Sequence, residues 1–371
     1  MQRWSEEVLF TEGDEFFVSL IGDIAAARER VDMEMYIYRL DGLGRRVSEA
    51  LVGAARRGVR VRLLVDAIGS AFDLEDLEEF FAGTGVQLRF YRRFIVGGML
   101  TPLANLNRRN HRKTALIDER WAYVSSANVS SVHLSRAAGG ESWKDVSARV
   151  AGEAGLRTLG AAFEVAWTKP NWRPGLGRRH KRRELEAREG HRDDLVHLND
   201  TRERRRSLRL ENKLRILQAR QRVWIANPYF APHHSELRAL KNAARRGLDV
   251  RVLVPKVSDV FFMPFVTFAY YKTLLRAGVK VYRYLPSVLH AKVRIIDDHH
   301  LIGSSNFDFR SLLYNLECDV LVTHPENQQK LVRDFESDLL HAEALTIGDI
   351  ERTSIFTKIL ATIFSLFKYW V

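Results

Sequence analysis

Ala54-Ala55-Arg56-Arg57-Gly58-Val59-Arg60-Val61-Arg62-Leu63-Leu64-Val65 returns as Ala243-Ala244-Arg245-Arg246-Gly247-Leu248-Asp249-Val250-Arg251-Val252-Leu253-Val254. Each copy reads as the last turn of a helix, a glycine stop, and a β-strand with branched residues at alternate positions. Downstream, Gly85-Val86-Gln87-Leu88-Arg89-Phe90-Tyr91 is answered by Gly278-Val279-Lys280-Val281-Tyr282-Arg283-Tyr284. Upstream, Ala27-Arg28-Glu29-Arg30-Val31 is answered by Ala219-Arg220-Gln221-Arg222-Val223, each running into an apolar, aromatic strand. The chain is thus two copies of one helix-strand unit, with a period too long for a solenoid. Alternating strands and helices predict an α/β sheet covered by helices in each copy.

The chain has 371 residues, which suits two domains, and its 46% apolar and 28% charged residues exclude a disordered chain. Cys318 has no partner, so no internal disulfide forms and a reducing compartment is expected. Met1 to Leu20 carries Glu6, Glu7, Glu12, Asp14 and Glu15, which argues against a signal peptide. No apolar run reaches the roughly 18 to 20 residues of a bilayer span. A cytoplasmic protein that touches a membrane from one side at most is expected. Its net charge of +12 points to a polyanionic partner, nucleic acid or an anionic membrane.

The expected domains are a first half, 1–168, a charged connector, 169–206, a second half, 207–345, and a C-terminal amphipathic helix, 346–371. The connector includes Arg178-Arg179-His180-Lys181-Arg182-Arg183-Glu184. It reads either as a solvated helix with (i, i+4) ion pairs or as a basic segment that meets phosphate head groups. In the tail, Ile355, Phe356, Ile359, Leu360, Ile363, Phe364, Phe367 and Trp370 fall at helical spacing. That face can lie in a membrane interface or pack on the body of the protein.

Two matching constellations sit inside the repeat. His111-Arg112-Lys113-Thr114-Ala115-Leu116-Ile117-Asp118 and His290-Ala291-Lys292-Val293-Arg294-Ile295-Ile296-Asp297 both read H-x-K-x-x-x-x-D. Each leads to a small-residue turn ending in asparagine, Ser125-Ser126-Ala127-Asn128 and Gly303-Ser304-Ser305-Asn306. Strand alternation puts each histidine and its lysine on one face. Asp118 and Asp297, counted with the catalytic set as motif members, lie an odd number of residues away, which favours a structural tether. The later acids, Asp145 and Glu317, are better placed to fix an imidazole tautomer. Lysines two residues from each histidine would repel a cation, so no metal site is expected. Two histidines, two lysines and two asparagines suit a phosphodiester: one neutral histidine attacks phosphorus, and the other, protonated, serves the leaving oxygen. The cationic and amide groups, with Ser126 and Ser304 in support, then stabilise the developing charge without metal or cofactor.

The duplicated motif with its G-S-x-N-like turns resembles the phospholipase D superfamily, and the likeness runs from about Met33 to Phe335. Glu34-Met35-Tyr36-Ile37-Tyr38, Asn227-Pro228-Tyr229-Phe230-Ala231-Pro232 and Gly303-Ser304-Ser305-Asn306-Phe307-Asp308-Phe309-Arg310-Ser311 are similar to segments of bacterial cardiolipin synthases, of the shorter class without N-terminal membrane helices. The resemblance implies two α/β domains, each a mixed sheet flanked by helices, related by a pseudo-twofold with one active site at their interface. It also implies transfer of a phosphatidyl group from phosphatidylglycerol to a histidine, release of glycerol, and attack by a second phosphatidylglycerol to give cardiolipin. The first motif usually supplies the nucleophile in relatives, so His111 takes that role and His290 that of acid and later base. Ser125 stands where relatives commonly have glycine, and its Cβ is expected to crowd the turn.

Phe94-Ile95-Val96-Gly97-Gly98-Met99-Leu100 and Val260-Phe261-Phe262-Met263-Pro264-Phe265-Val266-Thr267-Phe268 lie at like places in the two halves. They read as walls of an acyl-chain groove or as ordinary core. The expected partners are therefore anionic phospholipids, phosphatidylglycerol above all, at the cytoplasmic surface of a bacterial membrane, with no nucleic acid. A lipid hydrolase, another phosphatidyltransferase or a nuclease of the same superfamily would share the chemistry, and a non-enzymatic binding protein would not need both motifs.

Overall fold

A computed structural model describes residues 3–93, 108–168 and 194–366. The segment Phe94–Leu100, most of the charged connector, and Phe367 and Trp370 of the tail lie outside the described residues.

The repeat becomes two mixed sheets. The first uses β1 (Glu6–Phe10), β2 (Arg30–Met35), β3 (Arg60–Asp66), β4 (Gln87–Tyr91), β5 (Thr114–Ile117), β6 (Trp121–Ser125) and β7 (Ser147–Ala151), in the order β1-β7-β6-β5-β2-β3-β4. The second uses β8 (Val196–Leu198), β9 (Arg222–Ala226), β10 (Asp249–Pro255), β11 (Lys280–Tyr284), β12 (Val293–Ile296), β13 (His299–Gly303), β14 (Cys318–Val322) and β15 (Ala342–Ala344), in the order β15-β11-β10-β9-β12-β13-β14-β8. Seven strands of each sheet correspond one for one, and β15 is the second sheet's addition. β2, β3 and β4 run parallel to one another while β5 and β6 fold back antiparallel, and β9 to β13 repeat that pattern. β8 pairs with β14 as β1 pairs with β7, so the second sheet reaches back into residues assigned from sequence to the connector.

The glycine stops work as the repeat required. Gly58 and Gly247 take φ of +90° and +87° after helices Gly42–Arg56 and His234–Arg245, the left-handed turn that a side chain resists. Outer helices cover each sheet on one face, burying Val31, Met33, Val61 and Val65 in the first half and Val223, Ile225, Val250 and Val252 in the second. Between the sheets runs a shared core, in which Leu116, Val124, Ile295 and Val320 meet Phe163 and Phe335. The halves are stitched at their edges as well: Trp4 Nε1 donates to Leu321 O at 2.8 Å, and the Glu7 carboxylate accepts from Thr323 N at 2.7 Å. The helix Ile355–Leu366 docks by one face, with Ala361 buried and Phe364 stacked on Phe262 and Phe265, yet leaves Ile355, Phe356, Ile359, Ile363 and Leu366 exposed.

Candidate active site

The two motif histidines sit on the segments that enter β5 and β12, where each is drawn across to the opposite half. His111 N donates to Leu316 O at 2.9 Å and Leu316 N to Arg109 O at 2.8 Å. The mirror pattern joins Lys144 N to Val288 O at 2.9 Å and His290 N to Lys144 O at 2.8 Å. Each histidine segment is thereby paired with the segment that carries the other half's acid. His111 Nδ1 lies 3.0 Å from Glu317 Oε2, and His290 Nδ1 lies 2.8 Å from Asp145 Oδ1. The acids are those singled out in the sequence, but the exchange between halves is not visible there. An Nδ1–H held by a carboxylate fixes the tautomer that leaves Nε2 available to attack or to carry a proton.

The supporting groups repeat in parallel. Ser126 Oγ donates to Asp145 at 2.6 Å and Ser304 Oγ to Glu317 at 2.5 Å. Lys113 Nζ bonds His111 O at 2.9 Å and Lys292 Nζ bonds His290 O at 2.6 Å, so both ammonium groups stay beside their own histidine. Asn128 Oδ1 accepts from Ile37 N at 3.2 Å, whereas Asn306 Oδ1 is buried with no partner among the described residues. Tyr36 sets its ring against His111 at 4.7 Å, and Trp143 lies 5.7 Å from His290. Neither aromatic residue was assigned a role from sequence, and composition gave no signal for them.

Burial dominates the electrostatics. It lowers His111 to about 4 and His290 to about 3, against the pull of Glu317 and Asp145. Burial and mutual repulsion lower Lys113 to about 7, and burial lowers Lys292 to about 8. Burial works to raise the two acids, but the adjoining imidazoles hold Asp145 well below the usual carboxylate range and Glu317 below it. Two imidazoles that burial holds neutral thus gather with two weakened cations, a set that an anion would satisfy.

Asp118 and Asp297 do not join this group, which corrects their place in the catalytic set. Asp118 begins the β5–β6 turn, and its carboxylate accepts from Arg28 N, Glu29 N and Arg30 N at 2.8 to 2.9 Å. Asp297 does the same for Arg220 N, Gln221 N and Arg222 N at 2.8 to 3.0 Å. Both clamp the entrance of the neighbouring antiparallel strand, β2 or β9, as the odd spacing favoured.

Ser125 does not crowd its turn. Its Oγ accepts from Ala127 N at 2.8 Å and bonds Ser147 Oγ at 2.7 Å. In the second half, Asp319 Oδ1 reaches across to accept from Ser305 N at 2.9 Å, over the place where Gly303 has no side chain. A Cβ on Gly303 would stand 2.4 Å from Cys318 O and 2.5 Å from Asp319 Cα. Gly303→Ala is accordingly expected to cost about 2 kcal/mol or more and to lower the thermal midpoint, because backbone cannot yield as a flexible side chain does. Ser125→Gly should cost about 1 to 2 kcal/mol, the worth of its two hydrogen bonds, without forcing backbone apart. Equal melting curves for the two variants would contradict this account.

Two groups have metal-ligand proximity among the described residues, His133 with Asp145 and His290, and His197 with Glu211 and His299. In the first, both imidazoles already bond the carboxylate, at 2.6 and 2.8 Å, and Lys292 adds its charge beside them. The second includes His299, which faces Ile296 at the far end of the second motif from His290, with Glu211 bonded to Arg215 at 3.3 Å.

The chain is similar to known proteins in both sequence and fold. Residues 20–138 and 213–339 match the family described as cardiolipin synthase, PLD-like domain. The cardiolipin synthase of Geobacillus kaustophilus (strain HTA426) is 31% identical over 357 residues, covering 96% of this chain and 70% of that protein. Cardiolipin synthase B of Escherichia coli O6:H1 (strain CFT073) is 31% identical over 351 residues, covering 92% and 82%. Among solved structures, the phosphatidylserine synthase of Haemophilus influenzae Rd KW20 shares the fold, with a TM-score of 0.70 at 13% identity over 98% of this chain and 93% of that one.

Proposed function

The chain belongs to the phospholipase D-like cardiolipin synthase family, is an enzyme of that superfamily, and on that footing we propose that it joins two phosphatidylglycerol molecules into cardiolipin with release of glycerol. The observation that carries this reading is the reciprocal pairing of each motif histidine with the other half's acid. His111 Nε2 attacks phosphorus, and the P–O bond to glycerol breaks as its oxygen takes a proton from His290. The hydroxyl of a second phosphatidylglycerol then gives its proton to His290 and attacks the phosphatidyl-histidine, breaking the N–P bond. Lys113, Lys292 and the turn amides bear the charge that gathers on phosphorus, so no metal is required.

His290 must carry a proton for the first step although burial favours its neutral form. The phosphodiester anion supplies the missing counter-charge. Anion binding therefore raises the proton affinity of groups held low, His290, Lys113 and Lys292. Linkage fixes the sign: the complex holds more protons than its parts, so affinity falls as pH rises. Calorimetry of sulfate binding at pH 7.5, an anion that does not itself titrate there, in two buffers of different ionisation enthalpy should show net proton uptake and weaker binding above pH 8. Proton release would refute this.

The lipid must reach this site from a bilayer. No described helix is long and apolar enough to cross one. Instead, the apolar face of Ile355–Leu366 stands exposed, and Phe261, 77% exposed, follows Asp259, whose carboxylate accepts from Tyr229 Oη and acts on Lys292. We assign this face to the membrane surface. A chain ending at Thr353 should sediment less with phosphatidylglycerol vesicles, and unchanged sedimentation would assign the helix to docking alone. The main test is incubation with those vesicles in EDTA, followed by mass spectrometry. Cardiolipin with free glycerol supports the proposal, phosphatidic acid alone indicates a hydrolase, and DNA cleavage without lipid turnover overturns it.

A further inference from the structure

The histidine five residues beyond Asn128 was given no part in the chemistry above, yet it is 2% exposed and touches the site on two sides. Asn128 N donates to His133 Nε2 at 3.2 Å, which leaves the ring proton on Nδ1. That Nδ1–H meets Asp145 Oδ2 at 2.6 Å, while Asp145 Oδ1 serves His290. Five residues beyond Asn306 stands Ser311. Asn306 N donates to Ser311 Oγ at 3.2 Å, and Ser311 Oγ donates to Glu317 Oε1 at 2.7 Å. Both residues take an amide proton from the asparagine turn and give one to the orienting carboxylate. Their lengths are complementary: a long imidazole meets the short aspartate, and a short hydroxyl meets the longer glutamate.

We infer that His133 is a positioning residue, which holds Asp145 against His290 as Ser311 holds Glu317 against His111, and that His133–Asp145 and Ser311–Glu317 are interchangeable pairs matched in reach. Because Asn128 N occupies Nε2, the ring proton of His133 lies on Nδ1, where it holds Asp145 Oδ2 and leaves Oδ1 facing His290. Without it, Oδ2 loses its partner and the carboxylate is free to turn away from the histidine. This deepens the proposed transfer and relies on it for the kinetic readout.

The test writes the second half's pair into the first. His133→Ser and Asp145→Glu are made singly and together, and each is compared with wild type by thermal melting and by kinetics on phosphatidylglycerol vesicles. Each single change should lower kcat by about tenfold to a hundredfold with KM little moved, the usual effect of losing a group that orients a reacting one. The double variant should return to within about threefold of wild type, since contacting partners are not additive. A folded His133→Ser protein with unchanged kcat overturns the inference, as does a double variant that loses the product of the single effects or does not fold. Side-chain 15N NMR gives a reading that needs no turnover. The His290 Nδ1–H signal should weaken through exchange with water in each single variant and return in the double. If wild type turns over no lipid, the proposed transfer fails, while a His290 signal that His133→Ser leaves unchanged would separately sink the positioning role.

Discussion

Phosphatidylglycerol labelled in its phosphate is expected to leave label on His290→Ala protein and none on His111→Ala. On the proposed mechanism, removing His111 removes the atom that bonds phosphorus, and turnover should fall by about 10⁴-fold or more. Removing His290 slows attack by about 10²- to 10⁴-fold, the range for a lost general acid. It also removes the base that activates the second alcohol, so what adduct forms should persist. The environments support this order of roles. Glu317 serves one imidazole and otherwise bonds the hydroxyls of Ser304 and Ser311, whereas Asp145 divides its oxygens between two imidazoles. The acid with a single imidazole polarises it more fully, which suits the nucleophile. Label retained on His111→Ala and absent from His290→Ala would reverse the assignment.

Glu317→Gln should lower kcat by about 10⁴-fold with the fold retained, the penalty when an orienting acid becomes an amide and the wrong tautomer results. A glutamine can turn its amide N–H toward His111 Nδ1, which then accepts, and the ring proton moves to Nε2. The atom meant to attack is now protonated. Because Glu317 belongs to the second half and His111 to the first, this change breaks the first histidine from across the interface. Kinetics together with side-chain 15N NMR of His111 decide it. A variant that keeps both its turnover and the Nδ1–H tautomer would refute the role.

Much of this was legible in the chain. The repeated Arg-Arg-Gly stop and alternating strands carry the two-sheet fold because local backbone chemistry dictates them. His111, Lys113, His290 and Lys292 declared themselves by duplication. Strand parity separated Asp118 and Asp297 from the reacting group, although motif membership had placed them in it. What stayed hidden depends on the packing of one half against the other: Asp145 and Glu317 could be named but not given their cross-partners. His133 lay in view at the same offset as Ser311, five residues after the asparagine. The two residue types look unrelated until the carboxylates they meet are compared. Ser125 misled because crowding depends on the facing strand, where Ser147 leaves room and Asp319 would not.

The reciprocal pairing of Asn110 with Leu316 and of Lys144 with Leu289 makes each half depend on the other. A half-length copy on its own would hold a histidine without its acid and an acid without its histidine. Two identical copies across a twofold axis would supply both, so one chain holds the arrangement that a symmetric homodimer of half-length chains would have. A single chain is free of the need for one sequence to satisfy two places at once. His133 with Asp145 against Ser311 with Glu317, and Ser125 against Gly303, are places where the two halves use that freedom.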